Sequence, residues 1–331
     1  MKPVRRSFSR RRQRGAALLT AMVIVTLVAT MSASMVWQQW RAVQVETAER
    51  ARTQSAWILS GALDWARLIL KEDIRTSNVD HLVEPWAVPL AEARLSTFLA
   101  ADKDNTDDGP EAFLSGRIFD MQSHYNLHNV VGIIQGQVKI VPAELIVLEN
   151  LCEMVGVAKG VADQLAENLL RATPIPAANA ASAAAPAAQN STADTPLMPQ
   201  SFAELAWFGI DPGALRRLRP YLMILPVNTQ VNMNTAPPEV LAAVLGTDLA
   251  TANRLVEVRK AKPFADKTEV GPYLGNPQLL AAAQVGLNSD FFEVHGRLRL
   301  GTRVLEEVSL VERQGRNVIV RRRERVNSVD Q

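Results

Sequence analysis

The chain begins with a long apolar stretch that passes directly into an amphipathic one. Residues 15–40 contain no charged side chain over 26 positions, and a helix of that length extends about 39 Å, enough to cross the ~30 Å hydrocarbon core of a bilayer. Between residues 45 and 69, small or apolar side chains recur at steps of three and four, which is typical of a helix with one buried face. The pattern predicts a single helix of roughly 55 residues.

Alternating patterns predict strands at two places far apart in the chain. Pro85 and Pro89 end the helical pattern, because proline breaks a helix interior, and residues 117–121 then indicate one strand. Between residues 292 and 320, apolar and polar residues alternate in three segments that are joined at Gly301 and at Gln314 and Gly315. This predicts three antiparallel strands. We expect the four strands to form a small sheet packed on the long helix.

Helical periodicity dominates the region between these strands. Residues 142–171 carry leucine and valine at core-facing spacing, and a helical hairpin is predicted to open at Asn234 and Thr235 and to turn after Gly246. Residues 173–199 are rich in Ala and Pro with few large apolar side chains, which predicts a flexible surface loop. The sequence therefore predicts an α+β fold in which a mainly helical domain, residues 130–288, is inserted.

The composition is ordinary for a globular protein, with 47% hydrophobic and 21% charged residues, but the charge is unevenly placed. Seven of the 36 basic residues lie within residues 2–14, and the rest of the chain carries 29 basic against 34 acidic residues. A mildly acidic body argues against nucleic acid as the main partner. The basic N-terminus predicts a cytoplasmic start and a body outside the cytoplasm.

Nothing in the sequence indicates catalysis. The one cysteine, Cys152, lies in an apolar helical pattern, so it forms no intramolecular disulfide and is expected to be a buried, inert thiol. The four histidines lack the spacing of a zinc site, and no hydrolase elbow, P-loop or metalloprotease helix occurs. We predict that the chain is not an enzyme and has no catalytic residue.

One acidic stretch is a candidate metal site. Asp102, Asp104, Asp107 and Asp108 bring hard oxygen ligands together beside Gly109, a composition that suits Ca²⁺. The spacing departs from that of an EF-hand by one residue and lacks its closing glutamate. Two interpretations stay open, a calcium site and a solvated acidic loop, and no other cofactor is expected.

The segment "VNMNTAPPEV" leads into the predicted helical hairpin and resembles a helix-hairpin-helix or SAM-like element. Such hairpins bind DNA phosphates when the turn offers two glycines and a bare backbone nest. Here Asp248 occupies the turn, and its carboxylate repels a phosphate. A packing or protein-binding role is therefore favoured over DNA binding, and the basic residues 321–325 are interpreted as a solvated strand end.

The apolar stretch permits two interpretations. A cleaved secretory signal could end near Ser32 to Ser34, but the helical pattern continues past that point. The alternative is a prepilin-type leader, which this chain resembles: a short basic segment ends at Gly15 and a long apolar helix follows. The resemblance, to type IV pilins and type II secretion pseudopilins, implies cleavage by a prepilin peptidase between Gly15 and Ala16 and N-methylation of Ala16.

A second resemblance is narrower. Most pilin-like subunits carry a glutamate five residues past the cleavage bond, where this chain has Thr20. An unpaired N-terminal ammonium in apolar surroundings costs several kcal/mol, so a repeating subunit needs that glutamate and a terminal subunit does not. The chain resembles the K component of type II secretion in this and in the following motif residues: Gly116, Arg117, Asp120, Asn126, Asn129, Asn232, Asn234 and Thr235.

The resemblance to the K-component family implies a minor pseudopilin at the tip of a periplasmic pseudopilus, where it helps to start assembly for the export of folded exoproteins. It implies a single-pass inner-membrane protein whose partners are the I and J minor pseudopilins, the prepilin peptidase and the inner-membrane assembly platform. Two alternatives are a membrane-anchored DNA-uptake protein and a minor type IV pilin. The implied organisation is as follows: leader 1–15, membrane span 16–37, stalk 38–75, loop and first strand 76–129, helical insertion 130–288 and closing strands 289–331.

Overall fold

The structure is a computed structural model that describes residues 16–95, 111–174, 196–276, 278–301 and 303–326. Its longest element is helix α1 (Ala16–Thr76), 61 residues, which confirms the predicted long helix. The chain divides into two compact units, Met1–Ile58 and Leu59–Gln331. Each unit is described separately below.

Within the first unit, the described residues form the first part of α1. This part is long and apolar enough to cross a membrane, with a mean hydropathy of 2.1 over its most apolar window. Its hydroxyl groups bond back to the helix: Thr26 donates to the Val23 carbonyl and Ser32 to the Val28 carbonyl, both at 2.9 Å. Such internal satisfaction of polar groups is what a lipid environment requires.

The second unit contains a five-stranded antiparallel sheet. Its strands are β1 (Leu90–Arg94), β2 (Ala112–Asp120), β9 (Phe291–Leu300), β10 (Arg303–Gln314) and β11 (Asn317–Val326), in the order β1-β2-β9-β10-β11. The three predicted closing strands are confirmed, and they turn at Gly301 and Gly315, both with φ of +58°. Strand β1 was not predicted, because "LAEAR" combines residues with strong helix propensity.

The second part of α1 packs on this sheet. Leu63, Ala66 and Leu70 of the helix join a buried cluster with Trp86 and with the following strand residues: Phe292, Val294, Val311 and Val318. The Trp86 and Phe292 rings meet edge to face, with centroids 5.1 Å apart. The predicted packing of helix on sheet is therefore confirmed, and each such buried leucine contributes about 1.5–3 kcal/mol.

The chain between β2 and β9 is mainly helical and has its own core. Its helices are Pro142–Met154, Lys159–Ala172, Pro212–Leu218, Pro238–Leu245, Leu249–Ala261 and Gln278–Ala282. Four two-residue strands, β3 (Tyr125–Asn126), β6 (Leu222–Met223), β7 (Val231–Asn232) and β8 (Val285–Gly286), form the parallel pairs β3-β6 and β7-β8. A hairpin of β4 (Val131–Ile134) and β5 (Gln137–Ile140) accompanies them.

Two details of the helical region bear on the predictions. Cys152 is fully buried, and burial raises the pKa of its thiol to about 11, which is consistent with an inert side chain. The first helix of the predicted hairpin begins at Pro238 rather than at Asn234. The Asn234 side chain is instead engaged with the Phe264 backbone, donating to its carbonyl at 3.0 Å and accepting from its N–H at 2.9 Å.

Candidate functional site: an apolar groove and an acidic joint

The N-terminal candidates lie at the start of α1. Ala16 is its first residue, and Gly15 lies outside the described residues. The Thr20 hydroxyl lies 3.0 Å from the carbonyl oxygens of both Ala16 and Ala17. A hydroxyl bonded within its own helix needs no partner from another subunit. Position 20 therefore presents neither a charge nor an unsatisfied polar group.

Aromatic and basic residues follow the apolar part of α1. Trp37 and Trp40 are both 59% exposed, and the Arg41 guanidinium, the first charge in the described part of the helix, lies 5.0 Å from the centre of the Trp37 ring. Tryptophan and arginine are typical of the boundary between lipid and water. The predicted end of the membrane span, residue 37, is one of these tryptophans.

An apolar groove runs between the second part of α1 and the sheet. It has a volume of about 230 Å³ and is lined by the helix, by residues 85–90 and by the middle of β2, β9 and β10. Gly116 and Gly296 face each other across β2 and β9 in the groove. A Cβ at Gly116 would lie 2.9 Å from the His295 carbonyl oxygen, and one at Gly296 would lie 3.3 Å from Leu59. Gly296 therefore lets α1 approach the sheet closely, and Gly116 lets β2 lie close to the β9 backbone.

Several apolar side chains remain exposed around this groove. Trp65 and Val88 line it and are 49% and 65% exposed, and Leu68, three residues after Trp65 on α1, is 61% exposed. Arg117 also lines the groove and is exposed. Large apolar side chains gathered at a concave surface mark interaction sites in many soluble domains. We call this surface, defined by Leu59, Ala62, Trp65, Ile69 and Val88, the stalk groove.

Two asparagines of the predicted motif connect the end of β2 to a distant loop. Asn126 donates to the Val227 carbonyl at 2.8 Å and accepts from the Leu225 N–H at 3.0 Å. Asn129 bonds both backbone groups of Thr229, at 2.8 and 3.0 Å. Asn126 also accepts from the nearby His128 N–H at 3.0 Å. The other partners lie about 100 residues away, so these side chains fix tertiary structure.

Three other motif residues meet at a buried carboxylate. Asp120 accepts hydrogen bonds from the Thr235 hydroxyl at 2.5 Å, the Ser289 hydroxyl at 2.7 Å and the Asn232 amide at 3.1 Å. Burial raises the pKa of Asp120 to about 6 against the opposing effect of these bonds. The structure thus brings together the end of β2, the "VNMNT" segment and the chain just before β9.

A second group of charged side chains lies beside the buried Asp120 carboxylate. Arg313 of β10 is buried and bonds Asp73 at 2.6 Å and Asp80 at 2.5 Å. Glu84 accepts from the Trp86 indole N–H at 2.7 Å, and carboxyl oxygens of Asp73, Asp80 and Glu84 all lie within 4.8 Å of one another. The Arg313 guanidinium already bonds two of these carboxylates, so this group is an ion-pair cluster. We call Asp73, Asp80, Glu84, Asp120 and Arg313 the acidic joint.

Sequence reasoning missed most of the acidic joint. Asp73 lies in a polar helix turn and Asp80 in a loop, where acidic residues are usually solvated. The alternation of the last strands could have indicated that Arg313 is buried, because Arg313 follows Val311 at a two-residue step in a strand whose alternate residues face the core. A charged residue at such a position requires a buried partner.

The remaining candidates do not converge on a site. Asp248 caps the helix Leu249–Ala261 by accepting from the Thr251 N–H at 2.9 Å, which explains its place in the hairpin turn. The basic strand end forms ion pairs with three glutamates rather than a free patch: Arg321 with Glu312, Arg322 with Glu324, and both Arg323 and Arg325 with Glu307. Asp102, Asp104, Asp107 and Asp108 lie outside the described residues.

The chain is similar in sequence to the K proteins of type II secretion systems. A family model described as type II secretion system (T2SS), protein K, matches residues 231–291, which include Asn232, Asn234, Thr235 and Ser289. The type II secretion system protein K of Pseudomonas aeruginosa is 27% identical over 328 residues, covering 92% of this chain and 90% of that protein. The protein of the same name from Klebsiella pneumoniae is 28% identical, covering 94% and 96%.

A solved structure shares the fold. It is the GspK-GspI-GspJ complex of the enterotoxigenic Escherichia coli type 2 secretion system, and one of its chains matches with a TM-score of 0.61. The match covers 85% of this chain and 99% of that chain at 18% identity. This likeness supports the arrangement of a long helix, an antiparallel sheet and further helices.

Proposed function

We propose that this chain, which belongs to the type II secretion system protein K family and is a minor pseudopilin, caps the tip of the pseudopilus and helps to start its assembly. Position 20 carries this proposal. A subunit within the filament needs a carboxylate there to neutralise the N-terminal ammonium of the next subunit, because an unpaired charge in apolar surroundings costs several kcal/mol. Thr20, whose hydroxyl bonds only within its own helix, supplies none.

The helical insertion between β2 and β9 supports the same placement. It adds a separate hydrophobic core to the sheet and α1 packing, and this extra bulk would obstruct a further subunit above it. A subunit with a broad head and no charge at position 20 is suited to the end of a filament.

The N-terminal features support processing and anchoring. We propose that a prepilin peptidase cleaves between Gly15 and Ala16, and that Ala16 is then N-methylated. The apolar part of α1 would remain as a single-pass anchor in the inner membrane, with a cytoplasmic start and a periplasmic body. The assembly platform of the same membrane would then receive it.

We propose that the stalk groove receives the apolar face of a helix from a partner pseudopilin. The solved relative is a complex with GspI and GspJ, and the I and J minor pseudopilins are the corresponding partners here. Trp65 and Val88 present exposed apolar area in the groove, which suits helix-in-groove binding. The proposed role is structural, and it requires no catalytic residue.

The tip position is tested by locating the chain in assembled pseudopili. The processed protein is extracted from membranes, and its N-terminal mass is compared with that of a chain starting at N-methylated Ala16. Gold labelling of an epitope-tagged chain should then mark filament ends. A start elsewhere than Ala16, or label along the filament shaft, would overturn the proposal.

Partner binding is tested by co-purification with the I and J pseudopilins. Trp65→Asp places a charge beside the stalk groove and should weaken complex formation about tenfold or more. The exposed Trp207 of the helical insertion provides the matched control, and Trp207→Asp should bind as the unchanged chain does. Equal binding by both variants would place the partner surface elsewhere.

A further inference from the structure

The acidic joint contains far more acid than base. Asp73, Asp80, Glu84 and Asp120 are all at least 92% buried, and the buried Arg313 guanidinium bonds two of them, Asp73 and Asp80. His81 Nε2 lies 3.8 Å from a Glu84 carboxyl oxygen. Asp290 and Glu312 line a surface pocket together with Arg313. Buried carboxylates that share one cation repel each other strongly in a medium of low dielectric constant.

The acidic joint also connects parts of the chain that are distant in sequence. Asp73 lies in the last turn of α1, Arg313 lies near the end of β10, and the Asp80 carboxylate accepts from the Ser289 N–H at 2.6 Å. Through Ser289 the contacts reach Asp120 and from there Asn232 and Thr235 of the helical insertion. The helix end, the sheet and the insertion therefore meet through these side chains.

The surroundings of Asp73 and Asp120 raise the pKa of both carboxyl groups and so favour their neutral forms. At Asp73, burial raises the pKa to about 6, and repulsion by Glu84 and Asp80 adds to this while Arg313 opposes it. At Asp120, burial raises the pKa to about 6, and Asp80 adds repulsion while the Thr235, Ser289 and Gln122 hydrogen bonds oppose it.

We propose that the acidic joint is a proton-dependent connection between the sheet and the helical insertion, which tightens when Asp73 and Asp120 take up protons and loosens when they ionise. A proton on either group removes one of the mutually repelling charges. When Asp120 is protonated, the Thr235 hydroxyl can donate to the Asn232 carbonyl, 3.4 Å away, and accept the new carboxyl proton of Asp120. This inference does not depend on where the chain sits in a pseudopilus.

The sign of the effect follows from linkage. A carboxyl group whose pKa is higher in the closed joint than in water binds protons more tightly when the joint is closed. Lowering the pH therefore favours the closed form, and raising it favours opening. If opening of the acidic joint exposes Asp120 to water, the equilibrium constant for opening should rise about tenfold between about pH 5 and about pH 7.5.

Hydrogen exchange of the full-length chain in detergent micelles tests this. The amides to follow are Gln122, which donates to Asp120, and Ser289, which donates to Asp80. The exchange rates are first corrected for the intrinsic pH dependence of amide exchange. For both amides, the equilibrium constant for opening should then be about tenfold larger at about pH 7.5 than at about pH 5. Amides of the helix Lys159–Ala172 serve as the internal reference and should show no such change.

Variants identify the groups responsible. Asp120→Asn should reduce the pH effect, since only Asp73 then titrates, and the double variant Asp73→Asn/Asp120→Asn should reduce it to less than about twofold. Asp163→Asn, at an exposed aspartate of the helix Lys159–Ala172, should leave it unchanged. If Asp120→Asn loses protection throughout the molecule, Asp73→Asn provides the same test at the helix end. A wild-type joint with no corrected pH dependence would overturn the proposal. So would an equal dependence in folded Asp120→Asn and Asp163→Asn.

Discussion

The two parts of helix α1 satisfy their polar groups in opposite ways. In the first unit, the hydroxyls of Thr20, Thr26 and Ser32 bond to carbonyls of their own helix three or four residues earlier. In the second unit, Asp73 and Arg67 bond to Arg313 and to the Val318 carbonyl, about 240 to 250 residues away. A helix in lipid must be self-sufficient, whereas a helix in a folded body can rely on distant partners.

This contrast predicts that polar side chains matter little for folding in the first part and greatly in the second. The largest effect is expected at Arg313. Arg313→Met would leave Asp73 and Asp80 buried without their cation, which costs about 3–5 kcal/mol. Urea unfolding followed by circular dichroism measures the loss, and Arg316→Met at the exposed hairpin should stay within about 0.5 kcal/mol.

Two leucines in the second part of α1 test which face of this helix packs on the sheet. Leu70 is fully buried against the sheet, while Leu68, two residues earlier, is 61% exposed. Leu70→Ala should lower the free energy of unfolding by about 2–5 kcal/mol, and Leu68→Ala by less than about 0.5 kcal/mol. Equal losses at the two positions would mean that the helix packs on the sheet through another face.

The pH dependence of stability is expected to be smaller. Burial raises the pKa of Asp73 to about 6 in the folded chain, above its unfolded value, so the protonated form favours folding. The stabilising contribution is complete below the unfolded pKa, near 4, and is lost as the pH rises through about 6. Between about pH 8 and pH 5, the free energy of unfolding should increase by about 1–2 kcal/mol.

Asp73→Asn removes that titration. Its unfolding midpoint should therefore vary less with pH than that of the unchanged chain, while Asp64→Asn, at an exposed residue of the same helix, should keep the full variation. A midpoint that falls steadily on acidification over this range would show that Asp73 is stabilised as its anion.

The smallest effect is expected at Thr20. Thr20→Val removes a hydroxyl that bonds only within its own helix, so the amount of membrane-inserted protein should change by less than about twofold. Protein level in membranes and exoprotein secretion by cells measure the outcome. A severe secretion defect with normal protein level would mean that the hydroxyl contacts another subunit.

The sequence predicted the elements with strong periodicity and missed those held by distant contacts. The long helix and the three closing strands are confirmed, because continuous apolar spacing and alternation are local signals. Strand β1 was missed, since its residues favour a helix and only pairing with β2 holds it extended. The first helix of the hairpin starts at Pro238, four residues after Asn234, whose side chain is engaged with the Phe264 backbone.

The sequence by itself determined what depends on neighbouring residues: an apolar helix long enough for a bilayer, the uncharged position 20, and the class of fold. Only the tertiary structure decided that Asp73, Asp80, Asp120 and Arg313 meet, and that Gly116 and Gly296 line a groove between α1 and the sheet. Hydrophobic periodicity is set within a few turns of chain, whereas ion pairs and close approaches depend on which distant segments the folded core brings together.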